Sequence, residues 1–500
     1  MCPTATKVTH CGTISSDQNR KNIVPDQLLD ELREALGVES VSFGGAAQLL
    51  YSRDSSVFPG GQPGPVCFPE TTAQVAACVQ AAIKHDRSFV PRGAGTGLAG
   101  GAIPCDNPVM IVTTRMNKIL EVNAEKQFAW VEPGVINLDL TNHLRGTGLH
   151  FAPDPSSQQS CTIGGNVANN SGGPHCLAYG VTSAHILAVE VVLPDASVAI
   201  FGDPEGPTGG YDLRGAFVGG EGTLGVATRV AVRLTPDPPA VRTMLLDFQD
   251  VGTAADTVSA IIGAGIVPAA IEMMDQKVIE VVEKFIKVGY PQDAAAVLII
   301  EVDGLADGVE HEVERITEIA LACGTRTVRV AADEEERARI WKGRKNAFGA
   351  IAQVKPGYYL HDTVIPRTKL TEVINKVYET AERYDLLVMN VFHAGDGNLH
   401  PLLIFDPQEE GIMDRVLAAG EEIVQTSLDA GGVLSGEHGI GLEKRRFMDR
   451  LFSENDLAAQ AKLRHSFDPD ERANPHKVLP GGSSCAEINH MDKPPEGTWV

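Results

Sequence analysis

Basic residues are what this 500-residue chain is short of: 42 Lys and Arg face 65 Asp and Glu, a net charge of -23. So acidic a balance opposes binding to a nucleic-acid backbone or an anionic lipid surface by bulk charge. Long apolar runs are missing too, and none approaches the roughly 20 residues that span a bilayer. The opening stretch MCPTATKVTHCGTISSDQNRK lacks the apolar segment of a secretory signal. Cysteine is sparse and unpatterned: nine residues, an odd number, with no CxxC pair. That excludes a disulfide scaffold, an iron–sulfur cluster and a cysteine-built zinc site within this chain. A soluble cytoplasmic protein is the expectation. Glycine, by contrast, is plentiful: 51 residues, about a tenth of the chain against a usual ~7%. The glycines cluster, and function is sought there.

Five hundred residues exceed one core, so two or more domains are expected. Residues 1–22 and 481–500 are polar and aperiodic and read as mobile tails. Leu28, Leu29, Leu32 and Leu36 share one face of a helix over 26–36. Thr71 and Gln74 suit a capping box for a second helix running to about His85. Short β-rich runs such as PVMIVTT, HILAVEVVLP and GVATRVAVRLTP, broken by glycine loops, continue to about 235. The proline-dense TPDPPA at 235–240 then marks a boundary. Beyond it, helical stretches near 252–264, 276–288, 307–322, 333–350, 369–384 and 409–430 alternate with apolar strands. Two α+β domains follow, 23–238 and 239–480.

FVPRGAGTGLAGGAIP satisfies GxGxxG at Gly95, Gly97 and Gly100, with Glu121 about the right distance on. A dinucleotide fold needs a helix to open at this loop, and Gly100-Gly101, Pro104 and Pro108 forbid one. The alternative is a turn of free amides cradling a pyrophosphate. Two further Gly/Ser/Thr/Asn loops, at 153–182 and 219–225, suit a long cofactor held by amides and hydroxyls.

His393 and His400 bracket HAGDGNLH between LLVMNVF and PLLIF. A two-residue turn at Asp396-Gly397 predicts a hairpin that sets His393 directly opposite His400 on one face. The pair alone leaves open two packed histidines or a divalent-metal site. Glu437-His438, in GGVLSGEHGIG, is a glycine-flanked acid–imidazole pair.

PRGAGTGLAGGAIP, DPSSQQSCTIGGNVANNSGG and GGEGTLGV together resemble the FAD-binding half of the vanillyl-alcohol-oxidase-type flavoproteins. VFHAGDGNLHP, SGEHGIGLEKR, WKGRKNAF and AAIEMMD point to their 2-hydroxy-acid branch, over almost all of 23–480. The resemblance implies an N-terminal FAD-binding domain and a C-terminal α+β, ferredoxin-like substrate domain. It implies pyrophosphate over Arg92, Gly93, Ala94, Gly95, Thr96 and Gly97. Pro153, Ser157, Thr162, Gly164, Gly165, Asn170 and Gly172 would surround the flavin, with Glu221 and Thr223 nearby. Asn474 would be a flavin contact, although His476 stands where the family's closing motif has Gly. PRGAGTG holds no His of the kind that tethers flavin in some relatives, so noncovalent FAD is expected.

By the same resemblance His393, His400 and Glu437 ligate zinc or another first-row ion, and His438 is the base. Arg344 binds the substrate carboxylate. Leu360 and Leu402 stand where dicarboxylate-using relatives carry Lys and Asn, which favours a small monocarboxylate. Glycolate oxidation to glyoxylate is the expected reaction, with D-lactate to pyruvate as the alternative. A metal hydrolase on the same ligands would leave three glycine clusters without a use. Companion flavin-type and iron–sulfur subunits leading to quinone are implied, with peripheral membrane contact only through them.

Overall fold

The computed structural model describes residues 26–481. The expected N-terminal tail lies outside the described residues, as does the C-terminal one beyond 481.

Helix Asp26–Leu36 buries all four of its predicted leucines against helix Thr72–Lys84. Burial is worth about 1.5–3 kcal/mol per such side chain, which a helix this short needs, being marginal alone. The Thr71 hydroxyl accepts from Gln74 N at 3.2 Å, but the Gln74 side chain accepts from Glu70 N rather than Thr71 N. Only half of the expected box forms.

Strands β1 (Val41–Ser42), β2 (Val66–Cys67), β3 (Phe89–Arg92) and β4 (Val109–Val112) form a sheet in the order β1-β2-β4-β3. A second sheet takes β5 (Ile119–Asn123) and β6 (Phe128–Val131). After β7 (Leu149–His150) it adds β8 (Ile186–Val192), β9 (Val198–Gly202) and β10 (Val226–Arg233), in the order β5-β6-β10-β8-β9. β11 (Thr235–Pro236) still pairs with β7, and the chain leaves this unit between Pro236 and Ala240.

The second unit begins with β12 (Ala240–Phe248), β13 (Ala270–Asp275), β14 (Ala296–Gly304) and β15 (Thr327–Val330). Their antiparallel order, β15-β12-β14-β13, with helices Val251–Gly263 and Ala306–Cys323 together on one face, is the ferredoxin-like βαββαβ arrangement. Leu298 and Ile300 of β14 join one core, Val297 and Ile299 the other. A strand buried on both faces explains the unbroken apolar run AVLII. The sheet extends through β16 (Gly357–Leu360), β17 (Thr363–Val364), β18 (Leu387–His393), β19 (Asn398–Leu399) and β20 (Pro401–Phe405). The end of the described chain returns to the first unit: Asn474 N donates to Phe89 O, and Ala473 joins that core.

A charged clamp joins the units. His175 lies 2.8 Å from Asp154 and 3.2 Å from Glu301, which also accepts from Arg337, Trp341 and Thr243. Burial opposes protonation of His175, but the two carboxylates outweigh it and push its pKa up to about 10. A raised folded-state pKa gives stability that is whole below the unfolded value, ~6.5, and lost as pH climbs through about 10. The thermal midpoint of His175→Gln is therefore expected to fall furthest below the parent near pH 6. The gap should shrink steadily towards pH values above 10. A gap independent of pH would show that the imidazolium charge contributes nothing.

Candidate functional site

One cavity of about 400 Å³ gathers the three glycine loops and His400, Glu437 and His438, while His393 does not line it. Arg92, Gly93, Ala94, Gly95, Thr96, Gly97, Ser157, Thr162, Gly164, Gly165 and Glu221 line it, as do His400, Glu437 and His438. Phe348, Tyr358 and Leu360 contribute the walls from the second unit.

In the first loop the backbone amides from Ala94 to Gly101 donate to no acceptor among the described residues. Its carbonyls at Gly95 and Gly97 are held by Ser55, so the peptide planes are fixed while the donors stay free. Such a nest suits a pyrophosphate. Gly95 has a φ of +75°, and a Cβ there would strike the Arg92 guanidinium. Arg92 itself donates to Arg53 O at 2.7 Å and so braces the loop. The second loop opens helix Ile163–Asn169, but its first amides are engaged by Val135 O, Pro133 O and the Thr162 hydroxyl. The helix N-terminus is not the anion site.

Five expected flavin neighbours do not line the cavity: Pro153, Asn170, Gly172, Thr223 and Asn474. Each is engaged in shaping it. Pro153 O accepts from Asn137, Asn170 is a left-handed helix cap, and the Thr223 hydroxyl closes a turn onto Gly220 O. Asn474 donates to Gly101 O and Glu221 O, tying the third loop to the first. A Cβ on Gly172 would come within 2.7 Å of a Glu437 carboxylate oxygen, so glycine permits that approach. Glu221 turns its carboxylate to Ile440 N and Gly441 N, at 2.7 and 2.8 Å, clasping the loop after His438. Asn169 adds a donor to His438 O.

The histidine hairpin departs from expectation in register. Its turn spans four residues, Ala394 to Gly397, and His393 pairs with Asn398, not His400. A slip of two leaves every side chain on its face, since the strand period is two, and His400 becomes the diagonal neighbour. The rings still converge, with centroids 5.1 Å apart.

His393 Nδ1 lies 2.7 Å from Glu272, and His400 Nδ1 lies 3.2 Å from His361 O. Each Nε2 is thereby presented towards Glu437 Oε1, at 3.4 and 3.2 Å. Donors ~2.1 Å from a tetrahedral zinc stand roughly 3.4 Å apart, so this set fits a divalent ion. Asp362, His400 and His438 form a second cluster of possible ligands. The Asp362 carboxylate already accepts from Ser435 Oγ, Gly436 N, His438 N and Lys444 Nζ, which favours the His393, His400 and Glu437 set. Its part is to hold the Glu437-His438 turn. Burial pushes the His438 pKa down to about 4 despite Asp362 nearby, leaving a neutral imidazole at pH 7. The His438 ring stacks on His400 at 5.0 Å.

Arg344 does not line the cavity. It is buried, with Nε 2.7 Å from Glu272 and Nη2 without a partner among the described residues. Leu402 sits opposite Leu360 in the sheet and both pack into the same core, but of the two only Leu360 also lines the cavity. Sequence reasoning missed Glu272, Asp362, Asn169 and Lys444. For Glu272 a signal existed: a lone acid inside the apolar strand AIEMM.

Residues 63–202 match the family described as FAD binding domain, and 237–478 match FAD linked oxidases, C-terminal domain. Glycolate oxidase subunit GlcD of Escherichia coli (strain K12) is 43% identical over 426 residues, 85% of each chain. The subunit of that name from Bacillus subtilis (strain 168) is 36% identical over 91% of this chain and 97% of its own. A probable mitochondrial D-lactate dehydrogenase of Danio rerio is 32% identical over 94% and 95%. Among solved structures, p-cresol methylhydroxylase superposes with a TM-score of 0.77 at 16% identity, covering 91% of this chain and 96% of its own. That likeness speaks for the fold.

Proposed function

The chain belongs to the FAD-linked oxidases, and on that premise we propose that it oxidises a small 2-hydroxy acid, glycolate first and D-lactate second. The observation that carries the reading is the single cavity shared by the free-amide loop and His400, Glu437 and His438. Bound FAD supplies the hydride acceptor. A divalent ion, zinc or another first-row metal, supplies Lewis acidity at the substrate hydroxyl. His393, His400 and Glu437, whose ring Nε2 atoms and carboxylate face one another, would hold that ion. Neutral His438 takes the hydroxyl proton at its ring nitrogen as hydride leaves the adjacent carbon. Arg344 is assigned the substrate carboxylate: its Nη2 is buried without a partner among the described residues, and it would have to turn towards the cavity, which it does not line. Phe348, Tyr358 and Leu360 offer no cation for a second carboxylate. An extra methyl alters pocket affinity by only about 1–3 kcal/mol, so D-lactate remains a substrate.

Two relatives are named as subunits, and electrons are proposed to leave through companion flavin-type and iron–sulfur subunits towards quinone. Among the described residues no helix is long and apolar enough to cross a membrane. A cytoplasmic location, with membrane contact through those subunits, completes the reading.

Anaerobic addition of glycolate or D-lactate should bleach the flavin absorbance, and 2-hydroxyglutarate should not. Failure of both monocarboxylates would end the proposal. Acid precipitation should release all the yellow colour as FAD, because the first loop offers no His for a covalent link. Colour retained in a washed pellet contradicts that.

A further inference from the structure

We propose that Glu272 is a positioning residue that ties recognition of the substrate carboxylate by Arg344 to metal ligation by His393. This rests on the reading above and adds a residue to it. Glu272 lies on β13 directly opposite His393 of β18 in the antiparallel register. Opposed residues stand ~5 Å apart at Cβ on one face, so the sheet itself delivers this carboxylate to the imidazole. Glu272 is fully buried, and each oxygen has one partner: His393 Nδ1 for Oε1 and Arg344 Nε for Oε2, both at 2.7 Å.

Those two contacts orient two different functional groups. Accepting from Nδ1 places the neutral imidazole's proton there, leaving the Nε2 lone pair for the ion facing Glu437. Accepting from Nε sets the plane of a rigid guanidinium fork, and with it the direction of the unpartnered Nη2. Only a group with two acceptors can satisfy both donors. Glutamine has one oxygen and one NH2. With NH2 towards His393, Nδ1 must become the acceptor, the proton moves to Nε2 and the metal lone pair is lost. With NH2 towards Arg344, two donors oppose each other and the guanidinium turns away. Rotation between the two arrangements exposes both functions to loss.

The test uses the FAD-loaded full chain, with Zn2+ affinity measured by competition against a chelating dye and glycolate kinetics at saturating Zn2+. Glu272→Gln should keep FAD, lose about 10–100-fold in Zn2+ affinity, and raise KM for glycolate more than it lowers kcat. Glu272→Asp keeps the charge but cannot span both partners, and should show both losses in smaller measure. It also serves if the Gln variant does not retain FAD. Parent values of either Zn2+ affinity or KM in the FAD-loaded variants would overturn the tie. His400→Ala is the control for the underlying reading. If His400→Ala also keeps Zn2+, the metal site itself is wrong; if it loses Zn2+ while the Glu272 variants do not, only the tie fails.

Discussion

Replacing His400 by alanine is expected to abolish metal binding and cut turnover by at least a thousandfold, while FAD stays bound. The expectation follows from how the cavity is divided. The free amides of Ala94 to Gly101 belong to a loop held by Ser55 in the N-terminal unit, and none depends on His400. His400 instead supplies one of three possible donors within 4.8 Å of one another, its Nδ1 set against His361 O and its Nε2 facing Glu437. Two remaining donors cannot hold a first-row ion against water and exchange. A Lewis acid is worth several kcal/mol at the reacting oxygen, and each 1.4 kcal/mol is tenfold in rate. Metal content, flavin content and steady-state turnover on one preparation decide the matter. Full metal occupancy in His400→Ala, or full activity in metal-free parent, removes the ion from the reaction.

His438 and Arg344 should separate along the reaction coordinate. A proton acceptor acts mainly in the transition state, so His438→Ala should slow flavin reduction by about 10²–10⁴-fold with little change in substrate affinity. On the proposed reading Arg344 would meet the carboxylate before and during hydride transfer, so its loss should chiefly weaken binding. A charge-assisted hydrogen bond is worth ~1.5–3 kcal/mol, or roughly ten- to a hundredfold in affinity. The Glu272 pair changes the choice of variant, because Arg344→Ala would strand a fully buried carboxylate. Breaking such a pair costs about 3–5 kcal/mol of stability. Arg344→Lys keeps the charge, loses the fork, and isolates the binding effect. Anaerobic stopped-flow reduction by glycolate and D-lactate reports rate and affinity together. Parent-like reduction by His438→Ala, or parent-like affinity in Arg344→Lys, defeats the corresponding role.

Much of this was legible in the residues. The four leucines of helix Asp26–Leu36, the proline-dense passage at 235–240 and the buried strand AVLIIEV are local patterns, and local patterns set local structure. The absence of a helix after GAGTG was readable from its glycines and prolines, and the loop of free amides follows from it. Even the hairpin error was harmless. The turn proved two residues longer than Asp396-Gly397 suggests, yet a slip of two preserves the face, and His393 and His400 still meet.

What the residues alone left undetermined is which polar groups serve the cofactor and which serve the walls. Glu221 and Asn474 sit in motifs that resemble flavin contacts, and their side chains also tie loops together. Asp362 lies in none of the quoted motifs and Glu272 only inside AAIEMMD, yet one holds the Glu437-His438 turn and the other pairs Arg344 with His393. Their partners lie tens of residues away on other elements. A buried carboxylate must find donors wherever packing brings them, and strand register and domain closure choose those donors. The sequence by itself therefore determined the parts, namely the loops, the strands and the histidines on one face. Tertiary packing alone decided which atoms those parts present to one another, because a buried polar group is costly unless it finds a partner, and packing brings those partners from distant elements.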